Sequence, residues 1–329
     1  MQVMLFEGPN HPLRWTTREI PSPKRGELLL RVTACGVCRT DLHIIDGELS
    51  CPKLPLVLGH QVVGYVESIG EQVYGWKIGD RAGLPWLGGA CGHCFYCLRQ
   101  QENLCDEPCF TGFHRDGGYA TYCTAFASFA FPLPQVLPDE QLAPFLCAGM
   151  IGYRALKLAG DQLSKIGLVG FGASAHLLTQ LLVQRAIDVF AFTRSGDLKR
   201  QQFALQQGAI WAGSMEQPPS TPLDAMLLFA PVGSLVPTAL QLVRKGGSVV
   251  CAGIHMSDIP AFSYRDLWEE RLLRSVANLT RLDGQEFLEQ ALAIPLRSQV
   301  HLFPLKCANE ALAALRAGVE GAVVLRMDS

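Results

Sequence analysis

Four cysteines in one short loop, Cys91-x2-Cys94-x2-Cys97-x7-Cys105, constrain this chain more than any other stretch of it. Zinc has no redox chemistry and accepts four thiolate ligands tetrahedrally, so it suits irregular backbone with little apolar surface of its own. With all four positions filled by protein, no place remains for water or substrate, and the role is structural. An iron–sulfur run puts its fourth cysteine four positions on, after three intervening residues and before proline. Here the fourth lies eight positions on, before Asp106. A nucleic-acid-binding zinc module brings a basic face, whereas this loop has mainly Arg99 and His93.

The chain has 329 residues, enough for two domains with their own cores, and twelve cysteines. No basic lead followed by an apolar run opens the sequence, and no window reaches the ~18 uninterrupted apolar residues of a spanning helix. A soluble, cytoplasmic protein is expected. In that setting crowded cysteines favour metal over disulfides. Cys51, Cys109, Cys123, Cys251 and Cys307 lack a motif and read as small, wholly or partly buried hydrophobes. A formal net charge of −2 gives no long-range pull toward nucleic acid or anionic membrane.

To about residue 145 the chain reads as short strands and turns, with LLLRVTACGV and VVGYVESIG rich in branched apolar residues. From about residue 165 strands alternate with helices. KIGLVGFG is followed by helical SAHLLTQLLVQRA, and DVFAFT by a helix through DLKRQQFALQQG. LDAMLLFA and GGSVVCAGI follow, with helical PTALQLVRK between them. That alternation marks a doubly wound parallel sheet of the Rossmann kind. ANEALAALRAG and GAVVLRM end the chain as a helix and a strand.

Gly170-Phe171-Gly172-Ala173-Ser174-Ala175 fits G-x-G-x-x-A where a strand turns into a helix, the place where backbone amides receive a pyrophosphate. At the end of the second strand NAD enzymes carry a carboxylate for the adenosine ribose. Here stand Thr193, Arg194 and Ser195, with Lys199 and Arg200 beyond, and Asp197 reads as a helix cap. Nothing there repels a 2′-phosphate and Arg194 can pair with one, so NADP(H) is favoured over NAD(H).

Cys35-Gly-Val-Cys38-Arg39-Thr40-Asp41-Leu42-His43 and Gly59-His60-Gln61 are further soft-ligand clusters. Taken singly, Cys35 and Cys38 read as a metal or redox pair, and His60 as a packed core histidine. Together GVCRTDLH, LGHQVVG, the cysteine loop, LCAGMIGYRAL and GLVGFGASAH resemble, in order and spacing over essentially the whole chain, the medium-chain zinc-dependent alcohol dehydrogenases of bacterial type.

The resemblance implies an α/β protein: a GroES-like, mostly-β catalytic domain (1–145 and 275–329) and a Rossmann dinucleotide-binding domain (146–274). It implies a catalytic zinc on Cys38, His60 and Cys147, with Cys35 a neighbour and the fourth position left for alcohol or carbonyl oxygen, where zinc stabilises the alkoxide. Asp41 would hold His60. Thr40 would receive the substrate proton and His43 would pass it through the cofactor ribose to solvent. Arg39 would meet the pyrophosphate, Ile254 and His255 the nicotinamide edge. Trp86 would narrow a pocket for small alcohols and aldehydes, although a tryptophan packed in the core fits that position nearly as well. A homodimer or homotetramer is implied.

A zinc-free reductase of the same superfamily would lack the Cys38, His60, Cys147 set, and a zinc-binding or redox-sensing protein without turnover would not need Thr40, Asp41 and His43. Two positions depart from the family. Gln61 stands where glutamate is usual and Ala322 where relatives often carry arginine. Removing a negative charge beside the metal alters how readily the bound alcohol ionises. Gln61→Glu is therefore expected to raise the kinetic pKa, and an unchanged pH–rate profile would count against this.

Overall fold

The computed structural model describes residues 1–327, which fall into two compact units. The first comprises Met1–Cys147, Asn278–Glu286 and the residues from Ser298 on; the second comprises Ala148–Ala277 and Phe287–Arg297.

The first unit is built on the long strand Glu27–Val37, whose residues other than Arg31 and Thr33 are buried. It pairs antiparallel with Gln61–Ile69, Tyr122–Phe126 and the terminal strand Ala322–Arg326, so the two ends of the chain share one sheet. The register sets Gly36 opposite Gln61 on one side and Val324 on the other. Because side chains alternate faces with period two, this register fixes which of them point toward the core. Gly36 is bare for a reason. A Cβ there would stand 2.7 Å from Gln61 Oε1. Val3, Phe6, Leu28, Leu30, Val62, Leu84, Tyr119, Val323 and Leu325 belong to the core between this sheet and the three-stranded sheet Arg14–Thr17, Gln2–Phe6, Leu56–Val57.

The second unit holds six parallel strands in the spatial order Trp211–Ser214, Asp188–Thr193, Lys165–Val169, Leu223–Leu228, Val243–Cys251, Leu272–Ser275. In chain order that is 3-2-1-4-5-6, the doubly wound arrangement, and its direction reverses between Lys165–Val169 and Leu223–Leu228. Strands buried on both faces account for the apolar runs of the sequence. One boundary differs from the sequence expectation. The helix PTALQLVRK ends at Leu242, and Val243, with φ −86° and ψ 145°, already begins the next strand. The helix Arg281–Ala293 is divided between the units, its part from Phe287 grouping with the second. There the Phe287 ring occupies the space over Gly149, and Gln290 donates to the Tyr153 hydroxyl at 2.8 Å.

Asp224 ties the first and fourth of these strands. Its carboxylate accepts from Ser164 N (2.7 Å), Ser164 Oγ (2.8 Å), Lys165 N (2.9 Å) and Arg244 Nε (2.6 Å). Burial alone would raise its pKa, but Arg244 and the two backbone N–H groups overcome that and hold it at about 2. A carboxylate depressed on folding stabilises above its unfolded value near 4 and loses that contribution as pH falls toward 2. Asp224→Asn is expected to cost about 1–2 kcal/mol at pH 7, discounted for partial solvent screening. In urea titrations the gap to wild type should close between about pH 4 and pH 2.

Candidate active site and metal centres

Cys38 follows the long strand and caps the helix Arg39–Ile45. His60 follows Gly59 and precedes the strand Gln61–Ile69, and Cys147 lies between the 3-10 turn Ala143–Leu146 and the helix Ala148–Ala159. Their ligand atoms lie within 4.8 Å of one another, and the two sulfurs are 3.9 Å apart. Tetrahedral zinc with Zn–S bonds of ~2.3 Å needs sulfurs roughly 3.8 Å apart. Cys35, one turn of chain away and wholly buried, is outside the cluster, and burial pushes its thiol well above the ordinary value.

The fit rests on an unpaired imidazole. His60 is 0% exposed, and neither Nδ1 nor Nε2 has a hydrogen-bond partner among the described residues. Ring nitrogens left unsatisfied in the interior are costly, and a metal on Nε2 would remove the deficit there, with Asp41 facing the other nitrogen. Nδ1 stands 3.5 Å from Asp41 Oδ1, while Asp41 Oδ2 accepts from Cys38 N–H at 2.8 Å. Burial lowers the His60 pKa, but Asp41 and Cys38 raise it to about 10. Cys147 as hydrogen-bond donor draws the Cys38 thiol well below its ordinary value, while Cys38 and burial push Cys147 well above. Two sulfurs so close share one proton until a cation replaces it. These residues fit zinc.

Local backbone builds the site. Gly59 has φ +95°, and a Cβ there would meet Tyr119 Cδ1 at 2.4 Å and Cys35 Sγ at 2.8 Å. Only glycine takes that turn at that packing distance. Thr40 is buried with its hydroxyl 3.7 Å from Cys38 Sγ, and His43 lies on the same helix one turn on, also buried. Arg39, its first residue, is exposed. Gln61 is buried over Gly36. Trp86, 6% exposed, meets His60 edge-on at 4.9 Å and stacks on Phe110 at 5.0 Å, with Phe113 at 5.6 Å.

Three residues at this site went unnoticed in the sequence: Phe110 and Phe113, which extend the Trp86 wall, and Tyr119. The Tyr119 hydroxyl is buried without a partner among the described residues, and burial together with Asp41 pushes its pKa well above the ordinary value. They are brought in by sheet and loop contacts far along the chain and carry no local signal.

The four-cysteine loop is a second cluster. Cys91, Cys94, Cys97 and Cys105 sulfurs lie within 4.8 Å, with Cys91–Cys97 at 3.9 Å and Cys94–Cys105 at 4.0 Å. Backbone N–H groups point at the sulfurs: Cys94 N to Cys91 Sγ and Cys91 N to Cys105 Sγ, each 3.3 Å, and Glu107 N to Cys105 Sγ at 3.3 Å. The N–H groups of Cys97 and Asp106 bring Cys94 down to about 6, and burial pushes Cys97 up to about 12. Around it Phe95 and Leu98 are exposed, so the loop has little core.

In the second unit Gly170, with φ +87°, turns the chain out of Lys165–Val169; a Cβ there would stand 2.9 Å from Ala230 N. Gly172 caps the helix Ala173–Gln184 and has open space where a side chain would be, while Phe171 and Ala175 are fully buried. Open space over a helix N-terminus suits a close phosphate. Thr193 ends Asp188–Thr193 and its hydroxyl accepts from Gln201 at 3.1 Å. Arg194, Ser195 and Lys199 are exposed, and the Arg194 guanidinium has no hydrogen-bond or ion-pair partner among the described residues. Asp197 is committed to capping the next helix through Arg200 N at 3.1 Å. Ile254 is 49% exposed.

The alcohol dehydrogenase GroES-like domain model matches residues 24–135. The chain is 42% identical over 322 residues to the "Probable alcohol dehydrogenase AdhA" of Mycobacterium tuberculosis (strain CDC 1551 / Oshkosh), covering 95% of this chain and 92% of that one. It is 34% identical over 340 residues to an alcohol dehydrogenase of Geobacillus stearothermophilus, covering all of both. The crystal structure of the alcohol dehydrogenase of Aeropyrum pernix superposes with a TM-score of 0.89 at 25% identity, over 99% of this chain and 100% of that one. The chain belongs to the medium-chain, zinc-type alcohol dehydrogenase family.

Two variants separate the clusters. Asp41→Asn is expected to lower metal affinity at Cys38, His60 and Cys147 by about 10- to 100-fold, leaving the four-cysteine site filled in chelator competition. Cys94→Ser is expected to lose the loop metal and at least ~2 kcal/mol of stability, since metal binding is folding energy for a loop without a core.

Proposed function

We propose that this chain interconverts alcohols with aldehydes or ketones, using one zinc at Cys38, His60 and Cys147 and a second, structural zinc at Cys91, Cys94, Cys97 and Cys105. The observation that carries this reading is the buried, doubly unpaired His60 between two thiols, in a chain with alcohol dehydrogenases as full-length relatives. The unit carrying both clusters is the catalytic domain, and the doubly wound unit binds the dinucleotide.

A zinc ion held by three protein ligands supplies Lewis acidity to the substrate oxygen in its fourth position. The nicotinamide coenzyme accepts or gives the hydride. The chain's own residues do the rest. Asp41 fixes the imidazole plane of His60 by facing its Nδ1. Thr40, buried beside Cys38, takes the proton leaving the alcohol hydroxyl, and His43 is its terminal acceptor. Trp86, braced by Phe110, closes one side and favours small or slender substrates. Gly170, Phe171, Gly172, Ala173 and Ala175 form the turn for the pyrophosphate.

For the coenzyme we favour NADP(H). Thr193 and Ser195 are neutral, Arg194 is exposed and uncommitted, and the nearest carboxylate in sequence, Asp197, caps a helix. Assembly is assigned to a homodimer or homotetramer: Leu272–Ser275 is an edge strand with Leu272 exposed, open to pairing with a second copy. The site of action is the cytoplasm.

The test is turnover of short alcohols and aldehydes by metal-quantified protein, with both coenzymes, before and after chelation. Two zincs per chain and activity lost with the more accessible one are expected; two zincs without turnover on any alcohol or carbonyl would overturn the reading. Arg194→Gln should raise KM for NADP(H) roughly ten-fold while sparing NAD(H); equal effects on both would remove the coenzyme assignment.

A further inference from the structure

The helix Arg39–Ile45 ends in a turn that folds the chain back on itself. Gly47 N donates to Ile44 O at 3.1 Å and Glu48 N to His43 O at 2.9 Å, with Gly47 at φ +77°. This is a Schellman motif, which sets the third residue from the helix end beside the second residue past the cap, usually as an apolar pair. Here those residues are His43 and Glu48, and His43 Nδ1 meets Glu48 Oε2 in a direct hydrogen bond. The turn therefore builds a histidine–carboxylate pair out of residues five apart.

An ionised carboxylate only accepts, so Nδ1 carries the hydrogen and Nε2 is left as the accepting nitrogen of His43. Asp41 holds Cys38 N and faces His60. Asp46 binds Arg316 through both oxygens, at 2.9 and 2.7 Å, and His11 lines the groove beside them. The His43 side chain is 10% exposed and that of Glu48 43%, so the pair runs from the interior to the surface.

We propose that Glu48 is a positioning residue for proton transfer, holding His43 in the tautomer whose Nε2 receives the substrate proton. In oxidation one proton leaves the alcohol oxygen by way of Thr40 and binds Nε2. The Nδ1–H stays on its nitrogen, hydrogen-bonded to Glu48, whose negative charge offsets the imidazolium that forms. Nε2 then releases the proton to water, and reduction runs the same steps backward. A carboxylate orienting a catalytic imidazole through Nδ1–H is the logic of the serine-protease triad. The proposal rests on the dehydrogenase reading above.

The experiment compares zinc-loaded wild type, Glu48→Ala, Glu48→Asp and His43→Gln by 15N NMR of the His43 ring and by single-turnover and steady-state kinetics. Wild type should show the Nδ1–H tautomer of His43, and Glu48→Ala a shift toward Nε2–H. Glu48→Ala should lower kcat by roughly 10- to 100-fold with KM nearly constant, Glu48→Asp or added formate should restore part of it, and in a His43→Gln background the Glu48 change should cost nothing further. An active wild type whose tautomer and rate are the same in Glu48→Ala would overturn the proposal, as would an equal Glu48 effect without His43. A tautomer shift in a protein that turns over no alcohol or carbonyl would instead overturn the dehydrogenase reading and leave the contact as structure only.

Discussion

One buried carboxylate organises the metal centre. Asp41 is 0% exposed, and its two oxygens serve two ligand-bearing segments: one accepts from the Cys38 N–H, the other faces the His60 ring. Its position in the first turn of a helix places the negative charge against the positive end of the helix dipole, which offsets part of the cost of burying it. The strands bearing the two segments are in register at Gly36 and Gln61, so a slip of one residue would turn both ligands away. The carboxylate and the sheet specify the same geometry by independent means.

Packing around that centre leaves no slack. Tyr119 lies against Gly59, Gly59 admits no side chain, and Cys35 fills the space behind it as a neutral thiol. Trp86, Phe110 and Phe113 build an apolar wall next to His60. An apolar wall beside a buried cation lowers the local dielectric, so the few polar groups that remain act over short distances with greater effect. Gln61, buried over Gly36, adds no charge beside His60.

How far the sequence reached follows from the range of each signal. The four-cysteine cluster was legible because its members lie close together in the chain, and the strand–glycine–helix turn because its parts follow one another directly. The cluster of Cys38, His60 and Cys147 was legible only through resemblance, since no local pattern joins residues that far apart. Phe110, Phe113 and Tyr119 were hidden for the same reason. Glu48 is the instructive case. Its contact with His43 is local, but Schellman turns ordinarily pair apolar side chains, so nothing in the sequence marks a glutamate five residues after His43 as its partner. The helix stops at Leu242, short of the helical pattern that Val243, Arg244 and Lys245 continue, because Val243 pairs with Leu223 of the neighbouring strand and enters the sheet.

The unlike ligand sets of the two clusters carry a consequence for how the protein meets the metals of its surroundings. Four sulfurs make a soft site that also welcomes cadmium or cuprous ions, whereas an imidazole among two sulfurs, with an open coordination place, is more discriminating and exchanges more freely. The loop, having little core, would depend on a bound ion for shape. Soft-metal stress would therefore act first on the architecture, and scarcity of zinc first on the chemistry.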